Sequence, residues 1–162
     1  MAAGAAADGN GRARWTLSDP VHPNLLRRSR ALAAARRKFG KRAFSWRDAV
    51  TCVHLARGHL VQMGHRPEPL PRVRSLVAAR RALTERGWAD VTDMLDAQPG
   101  LMRIAPAEML PGDIAVLASD DGNIGAIFLC AGPHKLIGWR EDAPAMVVLD
   151  LSFDQISAAW RV

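Results

Sequence analysis

The sequence predicts an α+β fold, with helices first and an antiparallel sheet second, on three observations. As far as about residue 97, apolar residues recur at helical spacing between capping residues and glycine stops. From residue 104 the texture changes to short apolar runs separated by turn residues. No apolar run reaches the roughly 18 to 20 residues that span a bilayer, so these runs belong to a folded core. Runs of helices followed by runs of strands are the pattern of an α+β domain. With 162 residues and 49% hydrophobic composition, one domain over residues 24–162 is expected, with a core that needs no disulfide or metal.

Residues 1–14 are rich in Ala and Gly and read as a disordered tail. Trp15 to Pro23 then reads as an extended arm, because Pro20 and Pro23 break any helix. Asn24 is placed to cap a first helix from Leu25 to about Lys38, with an apolar stripe of Leu25, Leu32 and Phe39 beside Ala33 and Ala35. That register turns Arg27, Arg28, Arg30, Arg37 and Lys38 outward. After Gly40, Val53, Ala56, Leu60 and Met63, with Val50 and Leu55, predict a second helix over about 48–63. Gly64 stops it, and Pro67, Pro69 and Pro71 make the next stretch extended. Ser75 caps a third helix, Leu76 to Arg86, and Ala89 to Ala97 forms a fourth. Strands are predicted at 113–118, 124–130, 135–139 and 146–149, the first pair joined by an Asp120–Asn123 hairpin turn. Asp154 to Ala159 reads as a last helical turn.

Charge divides the chain unevenly. Residues 1–82 carry 17 Lys/Arg against 4 Asp/Glu, and residues 83–162 carry 5 against 12, for a total of +6. No acidic residue lies between Asp19 and Asp48. Arg27, Arg28, Arg30, Arg37, Lys38, Arg72 and Arg74 therefore form a candidate basic patch. It reads equally as a solvated helix face, as a binding surface, or as the partner of Glu85, Asp90, Asp93 and Asp96. No helix-turn-helix, zinc finger, aromatic RNA-binding signature or phosphate-cradling glycine loop accompanies it.

The two cysteines, Cys52 and Cys130, make neither a disulfide framework nor a zinc site, and the five histidines are scattered, so no metal or other cofactor is expected. Cys52 sits near a helix start, where free amides and the helix dipole favour a thiolate. Taken alone it reads as the small buried apolar residue that most free cysteines are.

Phe44-Ser45-Trp46 followed by Thr51-Cys52-Val53-His54-Leu55-Ala56 resembles the aromatic–x–Trp–Gly…Asp-Cys-x-x-Phe-Ala segment of NlpC-type cell-wall peptidases. The chain is more similar still to a related, uncharacterised family of bacterial and prophage proteins with that papain-like fold. Pro71–Arg74, Ala78–Leu83, Pro106-Ala107, Pro111–Ile114, Gly125–Gly132 and Ala158–Val162 follow in the same order, so the resemblance covers about residues 40–162. It implies that Cys52 stands where the family has its nucleophile. Thr51 stands where Asp is usual, and one extra residue separates Trp46 from Cys52. The general-base position falls at Gly125-Ala126 and the orienting position near Gly138, neither of which has a side chain for the task. His134, in a turn after the second strand, is the substitute base, whereas His54 should point away from Cys52.

The resemblance therefore implies a non-catalytic, NlpC-like scaffold, a pseudo-enzyme that serves assembly or binding with a protein partner, in a tail-like phage or prophage particle. The alternative is a divergent cysteine peptidase or amidase acting on peptidoglycan peptide, with Cys52 and His134 as its catalytic pair. A second alternative is a nucleic-acid-binding module built on the basic helix. No secretory pattern opens the chain, so a cytoplasmic or particle-bound location is expected.

Overall fold

The computed structural model describes residues 23–118, 124–140 and 142–162. The expected N-terminal tail and the Asp120–Asn123 turn lie outside the described residues. Four α-helices come first: α1 (Pro23–Phe39), α2 (Cys52–Gln62), α3 (Leu76–Thr84) and α4 (Val91–Asp96). Six strands follow: β1 (Met102–Ile104), β2 (Ile114–Leu117), β3 (Ala126–Gly132), β4 (Lys135–Gly138), β5 (Val147–Asp150) and β6 (Ala158–Arg161). All neighbours in the sheet are antiparallel, in the order β1-β6-β2-β3-β4-β5.

The α+β expectation agrees with this architecture, with four local differences. Pro23 is already helical in α1, consistent with its fixed φ, so Asn24 lies inside the helix rather than capping it. α2 begins at Cys52 instead of near Asp48. Ser45 and Val50 form an isolated bridge, the Ser45 hydroxyl donates to Asp48 at 2.8 Å, and Ala49 has a left-handed φ of 56°, which no helix accommodates. Thr51 is then the cap, its side chain accepting from the His54 amide. β1 was not expected. Finally, Ala158 and Ala159 are strand, and helix is confined to a 3-10 turn at Phe153–Gln155. Pairing with both β1 and β2 overrides the local preference there.

The sheet has two covered faces. Ile114, Val116, Ile127, Leu129, Ile137 and Trp160 point to the helices and join Leu55, Leu60, Leu83, Val91 and Leu95 in the main core. Ala115, Phe128, Cys130 and Leu136 point the other way, under Met109, Leu149, Leu151, Phe153 and Ile156. The period of two along β2 and β3 makes this division.

The stripe of α1 is rotated from the expected one. Arg28, Ala31, Ala35 and Phe39 are buried, whereas Leu25 is 48% exposed. Arg28, at 2% exposure, thus leaves the surface patch. Its guanidinium donates to Asp113 Oδ1 at 2.7 Å, to the Pro111 carbonyl at 3.1 Å and to the Val162 carbonyl at 2.5 Å. Asp113 is fully buried and also accepts from Arg161 Nε (2.9 Å), the Leu110 amide (2.8 Å) and the Val162 amide (3.1 Å). One carboxylate therefore ties α1, the entry to β2 and the end of β6 together. Gly112 permits it: φ is +91°, and a Cβ there would meet Arg28 at 3.4 Å and His59 Nε2 at 3.5 Å.

Arg28–Asp113 is the buried ion pair that joins the basic and acidic parts of the chain. The other acidic residues named as partners act locally. Asp90 caps α4, Asp93 accepts from the Ala89 amide, and Glu85 pairs with Arg81 one turn away. Asp96 pairs with Arg103 and accepts from Trp160 Nε1, and Arg103 holds its carboxyl below the usual carboxylate range.

Candidate functional site

Cys52 is the first residue of α2, behind its Thr51 cap, and packs against the helix-side core. Burial pushes its thiol pKa up, and the amides of Ile127 and Val53, which pull it down, do not cancel that effect. The helix start that favours a thiolate is thus outweighed by desolvation.

Of the strand positions singled out for a base and its orienter, Ala126 and Gly138 lie on the face away from the helices, whereas a Cβ at Gly125 would meet Val91 at 3.1 Å and Val116 at 3.3 Å in the helix-side core. Ala126 and Phe128 are on the outer face of β3, and Ala126 packs into the outer core. Gly138 ends β4, paired with Val147 of β5, and a Cβ there would lie on the Phe128 ring, 2.4 Å from Cδ1. The β3 and β4 side chains that face the helices are Ile127, Leu129, Ala131 and Ile137, all apolar. Restoring a polar residue at 126 or 138 would accordingly not reach Cys52.

His134 does not meet Cys52 either. It occupies the β3–β4 turn with a φ of 57°, its ring stacked on Phe153 at 4.4 Å and its Nδ1 3.3 Å from the Leu151 carbonyl oxygen. Phe153 belongs to the outer core and Cys52 packs on the inner one, so the sheet separates the expected pair. His54 is turned from Cys52 and engaged elsewhere. The Thr51 hydroxyl accepts from the His54 amide and lies within hydrogen-bond reach of Nδ1, at 2.8 Å. Burial, then the charges of Lys38 and Arg57, lower the His54 pKa.

Beside this end of α2 runs an apolar groove of about 100 Å³. Trp46, Val53, Val73 and Trp88 form walls, with His54 and Arg86 among the polar groups and the proline-rich 67–71 segment along one side. The Phe44–Trp46 motif has a structural part in it: Phe44 meets Trp46 and Trp139 edge to face, and Trp139 Nε1 donates to the Arg42 carbonyl at 2.7 Å. The Arg57 Nε–H donates to the Glu68 carbonyl at 3.0 Å and pins the proline segment to α2. Cys52 is not part of the groove wall.

Of the basic patch, Arg27, Arg30, Arg37 and Lys38 are exposed on α1, while Arg72 and Arg74 are exposed on the segment before α3. The sequence reading missed His59, which is buried and donates through Nε2 to the Gly112 carbonyl at 2.7 Å. Its position, one residue from Leu60 on the apolar face, was the available signal. No group of three or more His, Cys, Asp or Glu among the described residues is arranged to hold a metal ion. No helix among them is long and apolar enough to cross a membrane.

The solved structure of NlpC2 from Trichomonas vaginalis is similar to this chain at a TM-score of 0.49 and 16% sequence identity, covering 90% of this chain and 50% of that one. This chain thus spans half the length of that structure. Among curated proteins, nothing matches. A family match does extend through all four helices and all six strands: over residues 25–162, the chain belongs to the family described as a domain of unknown function, DUF6950.

Proposed function

We propose that this protein is a non-catalytic binding module on an NlpC-like, papain-like scaffold, serving assembly with a protein partner rather than peptide hydrolysis. The observation that carries this reading is the surroundings of Cys52: a partly buried thiol at a helix start, its pKa raised by burial, packed on the core to which β3 and β4 contribute the apolar Ile127, Leu129, Ala131 and Ile137. A cysteine nucleophile needs an adjacent base that takes its proton and a third group that orients the base. Among the described residues, the histidines nearest to those tasks in the sequence are engaged elsewhere, His54 with Thr51 and His134 with Phe153. The groove walled by Trp46 and Trp88 is the binding surface in this reading, since aromatic side chains anchor partner segments with little loss of conformational freedom. The setting in a phage-like particle belongs to the same proposal and rests on the order of the family motifs.

The test is chemical. Cys52 in the folded protein should react with iodoacetamide at pH 7.5 at least tenfold more slowly than a free cysteine, and a peptidoglycan stem peptide should remain uncut. Cleavage that disappears in Cys52→Ala would overturn the proposal in favour of a cysteine peptidase.

A further inference from the structure

With Arg28 buried, the remaining cations of α1 form a surface of defined shape. Arg27, Arg30, Arg36, Arg37 and Lys38 are all exposed, and none has an ion-pair partner among the described residues. α1 has no acidic residue in its first turn, and its last turn carries Arg36, Arg37 and Lys38. Between the two groups of cations stand Ala33 and Ala34, so no bulky side chain holds a ligand off the helix.

We propose that the exposed face of α1 binds the phosphodiester backbone of a nucleic acid. The geometry suits it. From Arg27 to Lys38 is eleven residues, about 16 Å along the axis. A strand of a duplex presents one phosphate about every 3.4 Å of axis, so about five phosphates lie along a length that carries five cations around the exposed side of the helix. Four of the five are arginines, whose planar guanidinium groups bind phosphate oxygens through two donors at once.

Other polyanions fit less well. An acidic protein surface is held by apolar or aromatic anchors inside the polar rim, and the exposed apolar side chains of α1, Leu25 and Leu26, lie at one end of the cationic stretch and not within it. A membrane-surface helix inserts a continuous apolar face, and in α1 Ala31, Ala35 and Phe39 are committed to the core, which leaves Leu25 and Leu26 exposed at one end. Phosphate neutralisation requires no such anchor.

The experiment measures binding of the full chain to a fluorescent 20-base-pair DNA duplex and to a single-stranded RNA of mixed sequence, across a salt series. Five contacts predict that doubling the salt weakens duplex binding about 20-fold. Replacing Arg27, Arg30, Arg37 and Lys38 together with alanine should reduce that factor to about twofold, while their replacement by lysine, where arginine stands, should retain it. The tighter of the two probes names the source of the phosphates. No binding to either probe at low salt overturns the proposal, as does an unchanged salt response in the alanine variant. It is also overturned if Arg72→Ala with Arg74→Ala produces the same change, or if poly-glutamate or phosphatidylserine vesicles compete equally at matched charge. Cys52 alkylation is independent of all these readouts, so this proposal and the non-catalytic reading fail separately.

Discussion

The two ends of α2 carry opposite chemistry. At the first residue, Cys52 has the sequence context of a reactive group but is surrounded by apolar side chains. Two turns later, His59 has no motif around it yet sits beside the most polar buried cluster in the described residues, with Gly112, Arg28 and Asp113. The difference teaches that a family motif marks a position in a fold, while reactivity depends on what the tertiary structure packs against it. The same helix supplies a thiol approached by backbone amides and an imidazole that clamps a turn.

The largest effect expected from this contrast is at the clamp. Asp113→Ala removes the carboxylate from Arg28 and Arg161 and leaves a buried guanidinium uncompensated, which should cost about 3–5 kcal/mol in urea unfolding. A cost no larger than that of a surface substitution would mean the cluster does not hold the chain ends.

His59 provides an intermediate effect with a pH signature. Burial first, aided by the Arg28 charge, lowers its pKa against the raising effect of the Gly112 carbonyl. The folded pKa is below the unfolded one, so the unfolded chain takes up the proton first. The contribution is therefore complete above about pH 6.5 and is lost as the pH falls through the folded value. Urea midpoints should drop between about pH 7 and pH 5, and His59→Gln, which can still donate to Gly112, should flatten that dependence. His54, whose pKa is lowered in the same direction, leaves a residual slope. An identical pH profile in His59→Gln would exclude His59 as its source.

The smallest effect belongs to Cys52. Cys52→Ala should cost only about 1 kcal/mol, because the thiol contributes packing and weak contacts with backbone amides. A loss as large as that of Asp113→Ala would reverse the comparison and give the thiol a structural partner not visible in its surroundings.

Much of the fold was legible in the chain. Ser75 caps α3 as its hydroxyl and position imply, and the apolar runs at 114–117, 126–132 and 135–138 are strands. What local pattern could not convey was the insertion of β6 between β1 and β2, since strand pairing across more than 40 residues leaves no periodic trace. The site was legible only as a list. Cys52 was correctly placed at a helix start, but the faces of Ala126 and Gly138 depend on strand register, which a shift of one residue inverts.

Arg28 marks the boundary between what the two levels determine. The sequence by itself determined a strongly basic first helix, a predominantly acidic second half and a helices-then-sheet order, because composition and periodicity are local properties. Only the tertiary structure decided that one arginine of that helix turns inward to Asp113 while its neighbours remain on the surface. The physical reason is that a buried guanidinium is stable only where a carboxylate and carbonyls converge on it, and those come from residues 83 to 134 positions away.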